Sequence, residues 1–154
     1  MCYIVFTMST RSAGANAKQR HGSFRIAASV FDGLDERADE LAIPRNQLIE
    51  RYLAEGLRRD RHPSIAFRDG ASGRRPAIVG TRLDVAQVIT TLRAERGDVT
   101  ATANYFKCSQ AAVSAALSYY AEFTDEVDAC TDRQARYAAE AEELWRRERD
   151  VLTD

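Results

Sequence analysis

The chain has 154 residues, 45% of them hydrophobic and 29% charged, which suits one or two small globular domains and argues against a fully disordered chain. No stretch reaches the roughly 18 to 20 apolar residues that span a bilayer, and the opening Cys2-Tyr3-Ile4-Val5-Phe6 run is short and lacks the basic flank of a secretory leader, so no membrane partner is expected. Cys2, Cys108 and Cys130 are widely spaced and accompanied only by His21 and His62, which make neither a disulfide framework nor a recognisable zinc site; a reduced, cytoplasmic protein without metal or cofactor is expected.

A net charge of −1 conceals two opposite halves. Residues 1–121 carry 17 basic and 12 acidic side chains, whereas residues 122–154 carry 5 and 11. The front suits a polyanion and the back a cationic surface. Twenty of the 22 basic residues are arginine; that preference fits either bidentate phosphate and guanine contact or simple codon bias.

In chain order, residues 1–22 are rich in Ser, Thr, Ala and Gly, carry no acid, and are expected to form a flexible arm, with Met8 an alternative start. Ser23 to Ala27 alternates like a short half-buried strand, with Phe24 and Ile26 inward and Ser23, Arg25 and Ala27 outward. Ser29, three before Asp32, has capping-box spacing; Val30, Leu34, Ala38 and Leu41 recur at helical intervals until Ile43-Pro44. A second helix from Pro44 is expected to bury Leu48, Ile49, Tyr52, Leu53 and Leu57 and to end among Arg58, Arg59 and Arg61. A lone five-residue strand leaves its backbone groups unpaired, so the same strand of a second copy is the expected partner and a homodimer the expected state.

Residues 23–61 resemble the ribbon-helix-helix family of DNA-binding proteins through Phe24-Arg25-Ile26, Leu34, the run Leu41 to Ile49, and Tyr52-Leu53. The resemblance implies an antiparallel ribbon in the major groove with Ser23, Arg25 and Ala27 facing the bases. Arg45, Asn46 and Gln47 open the second helix, where free N–H groups and a cation suit a phosphate oxygen.

His62-Pro63 opens a new unit. Ile65 to Arg68 and Ala77 to Val79 flank a Gly-rich stretch and read as a hairpin, on whose loop Arg74 and Arg75 either clamp a phosphate as a wing does or solubilise the turn. Asp84 with Gln87 caps a helix burying Val85, Val88, Ile89 and Leu92 and stopped at Gly97. Arg82 is expected to brace this segment by bonding carbonyls or pairing with Asp84. A short helix around Val99, Ala103 and Phe106 and another capped by Ser109, burying Ala112, Val113, Ala116, Leu117 and Tyr120, complete a helix-turn-helix. On it Lys107 is placed to hold backbone while Gln110 and Ser114 face bases; the many small side chains there suit a helix-on-helix contact equally.

Residues 62–129 resemble a domain-of-unknown-function family, numbered four hundred and thirty-three, found in antitoxins of the VapB kind. The matching residues are His62-Pro63-Ser64-Ile65, Phe67-Arg68-Asp69-Gly70, Gly73-Arg74-Arg75-Pro76-Ala77, Gly80-Thr81-Arg82-Leu83-Asp84-Val85 and Ala115 to Tyr120. The resemblance implies a winged helix-turn-helix-like domain. Residues 130–154 form the last expected element, an acidic helix with an apolar stripe of Tyr137, Ala138, Ala141, Leu144, Trp145, Val151 and Leu152, interrupted by Glu148. It packs either on its own body or on a partner, with Tyr137, Leu144 and Trp145 as anchors.

The expected fold class is therefore mainly α with small β: a ribbon-helix-helix module, a β-hairpin/helix-turn-helix domain and a C-terminal helix. The antitoxin resemblance implies a type II system in which the tail covers a PIN-domain ribonuclease toxin, Arg146 or Arg149 reaching its carboxylates, while the dimer represses its own operon by binding operator DNA. A stand-alone regulator and an adaptor without a DNA role are the alternatives. No catalytic residue is expected, since no nucleophile has a plausible base beside it.

Overall fold

The computed structural model describes residues 2–6 and 22–153. Among them run β1 (Cys2–Phe6), β2 (Gly22–Ile26), α1 (Ala28–Glu40), α2 (Arg45–Arg61), β3 (Ile65–Arg68), β4 (Arg75–Ile78), α3 (Val85–Ala94), α4 (Val99–Phe106), α5 (Gln110–Glu122) and α6 (Thr124–Thr153). The chain is thus mainly helical with two small antiparallel sheets, β1-β2 and β3-β4. It divides into two compact units, Met1–Arg58 and Arg59–Asp154.

In the first unit the expected lone strand is not alone. β2 pairs with β1 of the same chain, Ile4 opposite Phe24 and Cys2 opposite Ile26. The Tyr-Ile-Val-Phe run has strong β propensity, and a pairing partner twenty residues away fills one strand edge without a second copy. The flexible-arm expectation is corrected for residues 2–6, and its remainder, residues 7–21 with the Met8 start, lies outside the described residues. The helix start is corrected too: Ala27, not Ser29, is the N-cap and makes no side-chain cap bond. Ala27 therefore ends the strand, its carbonyl accepting from the N–H groups of Val30 and Phe31 at 3.1 Å.

The core of this unit is small. Ile49 packs with Ile26, Phe31 and Leu34, and Leu48 and Ala38 are buried. Phe24, expected inside, is 39% exposed, and Val30, Tyr52, Leu53 and Leu57 lie open as well. The period is helical as expected, but α1 turns Phe31 rather than Val30 inward. α1 closes at Ala42, whose φ of 50° lets the Ile43 N–H reach back to the Ala38 carbonyl at 3.1 Å.

The second unit has a single continuous core. Ile65 and Ile78 from the hairpin, Val85, Val88, Ile89 and Leu92 from α3, Val113, Ala116 and Tyr119 from α5, and Val127 and Cys130 from α6 are all buried together. Each helix has a legible reason for its limits. Asp84 and Gln87 form the expected capping box, the Asp84 N–H donating to Gln87 Oε1 at 3.0 Å. Gly97, at φ 86°, ends α3 with its N–H on the Leu92 carbonyl at 2.8 Å. Leu117, expected in the core, is 42% exposed, and Tyr119 takes the central place.

The tail is corrected most. α6 begins at Thr124 and runs unbroken to Thr153. The expected boundary at 129/130 falls inside it, because Val127 and Cys130 are core residues on the same face that later becomes the exposed stripe.

Candidate nucleic-acid interface and partner surface

α4 and α5, the pair expected as a helix-turn-helix, are joined through residues 107–109. Asp98 caps α4, accepting from the Ala101 N–H at 2.9 Å, and Ser109 caps α5, accepting from the Ala112 N–H at 3.2 Å. Lys107 takes the left-handed conformation, φ 53° and ψ 42°, that lets the chain reverse in three residues. Glycine is the usual occupant of such a position, so a lysine there puts a cation at the mouth of α5 at some conformational cost. The outward face of α5 presents Gln110, Ala111, Ser114, Leu117 and Ser118, while Tyr105 and Asn104 of α4 stand exposed before the turn. Gln110 is exposed, though its Nε2 donates to Thr100 Oγ1 at 3.1 Å; Ser114 and Lys107 are also exposed.

The loop arginines do not hang open. Arg74 Nη1 donates to Asp69 Oδ2 at 2.9 Å. Arg75 lies with its guanidinium where a Cβ of Gly70 would stand, so only glycine leaves it that path, and its Nε is 2.6 Å from Asp84 Oδ2. Asp84 is 3% exposed and is the centre of a bracket. Arg68 Nη2 donates to its Oδ1 at 3.2 Å and to the Leu83 carbonyl at 3.3 Å, Arg68 Nη1 to the Thr81 carbonyl at 2.9 Å, and Gln134 Nε2 to Asp84 Oδ2 at 3.4 Å. The bracing role expected of Arg82 therefore belongs to Arg68, and Arg82 is exposed. Gly80 at φ 74° and Thr81, whose Oγ1 donates to the Ile78 carbonyl and accepts from the Leu83 N–H, shape the turn that brings Asp84 there.

In the first unit, Ser23 and Arg25 are exposed on β2, and Asn46 and Gln47 are exposed in the first turn of α2. Arg45 is committed: it pairs with Asp35 and its guanidinium carbon sits 4.2 Å from the centre of the Phe31 ring. Charge separates the two candidate readers further. Residues 22–58 hold 5 basic and 7 acidic side chains, residues 59–123 hold 9 and 6. The cationic surplus noted in the front of the chain thus resides in residues 59–123, together with the basic residues before Gly22.

Glu122 at the end of α5 gathers two basic side chains. Arg61 pairs with it and His62 Nε2 lies 2.9 Å from its Oε2, so these partners, His62 first, hold its carboxyl below the usual glutamate range. A carboxylate with a lowered folded-state value stabilises the fold fully above the ordinary range and loses that contribution as pH falls through the lowered value. Comparing thermal unfolding of the native chain and Glu122→Gln across acid pH is expected to show a smaller acid loss in the variant; parallel curves would refute the coupling.

On α6, Tyr137, Leu144, Trp145, Val151 and Leu152 are exposed at helical spacing. Arg146 and Arg147 bond Glu142 and Glu143 one turn back, at 2.9 and 2.8 Å, and the Arg149 guanidinium carbon stands 4.8 Å from the Trp145 ring centre. Burial pushes the Cys130 thiol up, keeping it protonated beside Arg133. Among the described residues no three His, Cys, Asp or Glu side chains converge as metal ligands would, and no helix is long and apolar enough to cross a membrane. Comparison of the chain with protein-family models, with curated proteins and with solved structures returned no match in any of the three.

Proposed function

We propose that the chain is a DNA-binding regulator of the antitoxin kind: α4 and α5 dock on operator DNA, and the outer part of α6 covers a PIN-domain ribonuclease. The reading is carried by the three-residue turn at Lys107, which presents the start of α5 outward from the segment that holds the cationic surplus. The hairpin is tied to the start of α3 through the Asp84 bracket, which engages Arg75 rather than leaving it to grip phosphate. The ribbon, with Ser23 and Arg25 outward, contributes contacts in a homodimer that covers Val30, Leu53 and Leu57.

Lys107→Gly is the discriminating variant, because glycine suits the left-handed turn while removing the cation. The fold is expected to gain slightly, by about 0.5 kcal/mol, while affinity for operator fragments falls and the slope of log affinity against log salt becomes shallower by about one phosphate contact. Unchanged binding and slope would exclude α5 as the reader. Removing residues 137–154 is expected to spare DNA binding and abolish inhibition of a PIN-domain ribonuclease by the full chain; retained inhibition would exclude the tail. One observation favours a second reading, a regulator with no toxin: the charge layout of α6 also suits another copy of the chain.

A further inference from the structure

The stripe on α6 repeats every seven residues. Tyr137, Leu144 and Val151 form one row and Ala138, Trp145 and Leu152 the next, with Ala141 between. This is the spacing at which two helices stay in contact by supercoiling. The same face is buried lower down, at Val127 and Cys130, so the helix leaves its own domain with a face already suited to packing.

Charge on the flanks is segregated about Leu144 and Trp145. Glu140, Glu142 and Glu143 precede them; Arg146, Arg147 and Arg149 follow, with Glu148 in the stripe and Asp150 away from it. In a parallel pair of such helices acid would face acid and base would face base. In an antiparallel pair with its two-fold axis beside Leu144 and Trp145, the acidic block of each copy faces the basic block of the other, Glu142 opposite Arg149 on one flank of the stripe and Glu140 opposite Arg147 on the other. Trp145 of one copy then packs on Leu144 of its mate, and Glu148, the one charge in the stripe, faces the small Ala141.

We propose that the exposed part of α6 pairs antiparallel with α6 of a second copy of this chain. The contact covers Tyr137 to Leu152, about 22 Å of helix, which suits a reversible interface of micromolar strength rather than a permanent one. It does not rest on the DNA or toxin reading, and a nuclease that covers the same stripe has to displace the second copy.

Trp145 is the only tryptophan in the chain and lies at the proposed axis, so its emission reports on this contact and not on any association of the first unit. The test is a dilution series of the full chain from near-millimolar to low micromolar concentration. Emission is expected to shift to the red as the pair dissociates, in step with the loss of dimer mass in sedimentation. Glu142→Arg places arginine against Arg149 of the mate at both symmetry-related sites and is expected to move the midpoint of that shift upward by about tenfold. Exchanging the charges, in Glu142→Arg with Arg149→Glu, restores the original midpoint, because the complement across the axis is re-formed. Helix content by circular dichroism is expected to match in all three chains. An emission maximum that ignores concentration would overturn the pairing. A shift that ignores Glu142→Arg would overturn its antiparallel sense, since parallel helices oppose like residues either way.

Discussion

Asp84→Ala is expected to cost the second unit about 3 kcal/mol. Asp84 is 3% exposed and answers two guanidinium groups, Arg75 at 2.6 Å and Arg68 at 3.2 Å. Without it, two half-buried cations from the strands of one hairpin face each other with no anion between them, and α3 loses its cap. The arginines keep partial contact with water, which holds the figure toward the low end for a broken buried pair. Asp84→Asn isolates the two effects: the amide keeps an acceptor for the helix but not the charge, so it is expected to fall between the native chain and Asp84→Ala. Denaturant unfolding followed by circular dichroism decides the matter. A loss below about 1 kcal/mol for the alanine variant, which is the worth of a cap alone, would show the bracket to be a surface decoration.

The bracket also shows where sequence reading stops. Asp84 as a cap was legible because its partner Gln87 is three residues away. Its arginines were not: Arg68 is sixteen residues upstream and Arg75 nine, and the hairpin register that sets Arg68 opposite Arg75 is what carries both to one side. Arg82, adjacent in sequence, was the natural choice for the brace, and the turn at Gly80-Thr81 leaves it exposed. Similarly, periodicity located every helix of the second unit, whereas the identity of the partner strand for β2 was hidden. The Cys2-Tyr3-Ile4-Val5-Phe6 run is too short for a membrane span or a leader and sits in a stretch whose composition reads as a flexible arm, yet a β-prone run that fails as a leader remains a candidate strand. Of the candidate site residues, Lys107, Gln110 and Ser114 lie together around the turn and Tyr137, Leu144 and Trp145 on one exposed stripe. Arg45 and Arg75 are drawn into ion pairs that composition does not disclose.

Tyr119→Ala is expected to cost about 4 kcal/mol, the largest single loss anticipated in this chain. The ring is wholly buried, 5.2 Å from His62 and 4.8 Å from Phe123 between ring centres, with Phe67 beyond. Its hydroxyl donates to Glu126 Oε2 at 3.1 Å, so Tyr119→Phe, which keeps the ring, is expected to lose only about 1 kcal/mol. A small unit has roughly 5 to 10 kcal/mol in all, and the alanine variant is therefore expected to leave the second unit close to unfolding in water. The informative control is the neighbour. Tyr120 is half-buried, its hydroxyl donating to Asp128 at 3.2 Å and receiving Arg93, and Tyr120→Ala is expected to cost well under half as much. Two adjacent tyrosines give helical periodicity no means of choosing between them, yet the choice fixes the rotation of α5. With Tyr119 inward, Val113 and Ala116 follow it into the core and Ser114, Leu117 and Ser118 face out. Were Tyr120→Ala the more damaging substitution, the helix would be turned by about 100°, Ser114 and Gln110 would leave the outward face, and the nucleic-acid reading built on them would have to move with it.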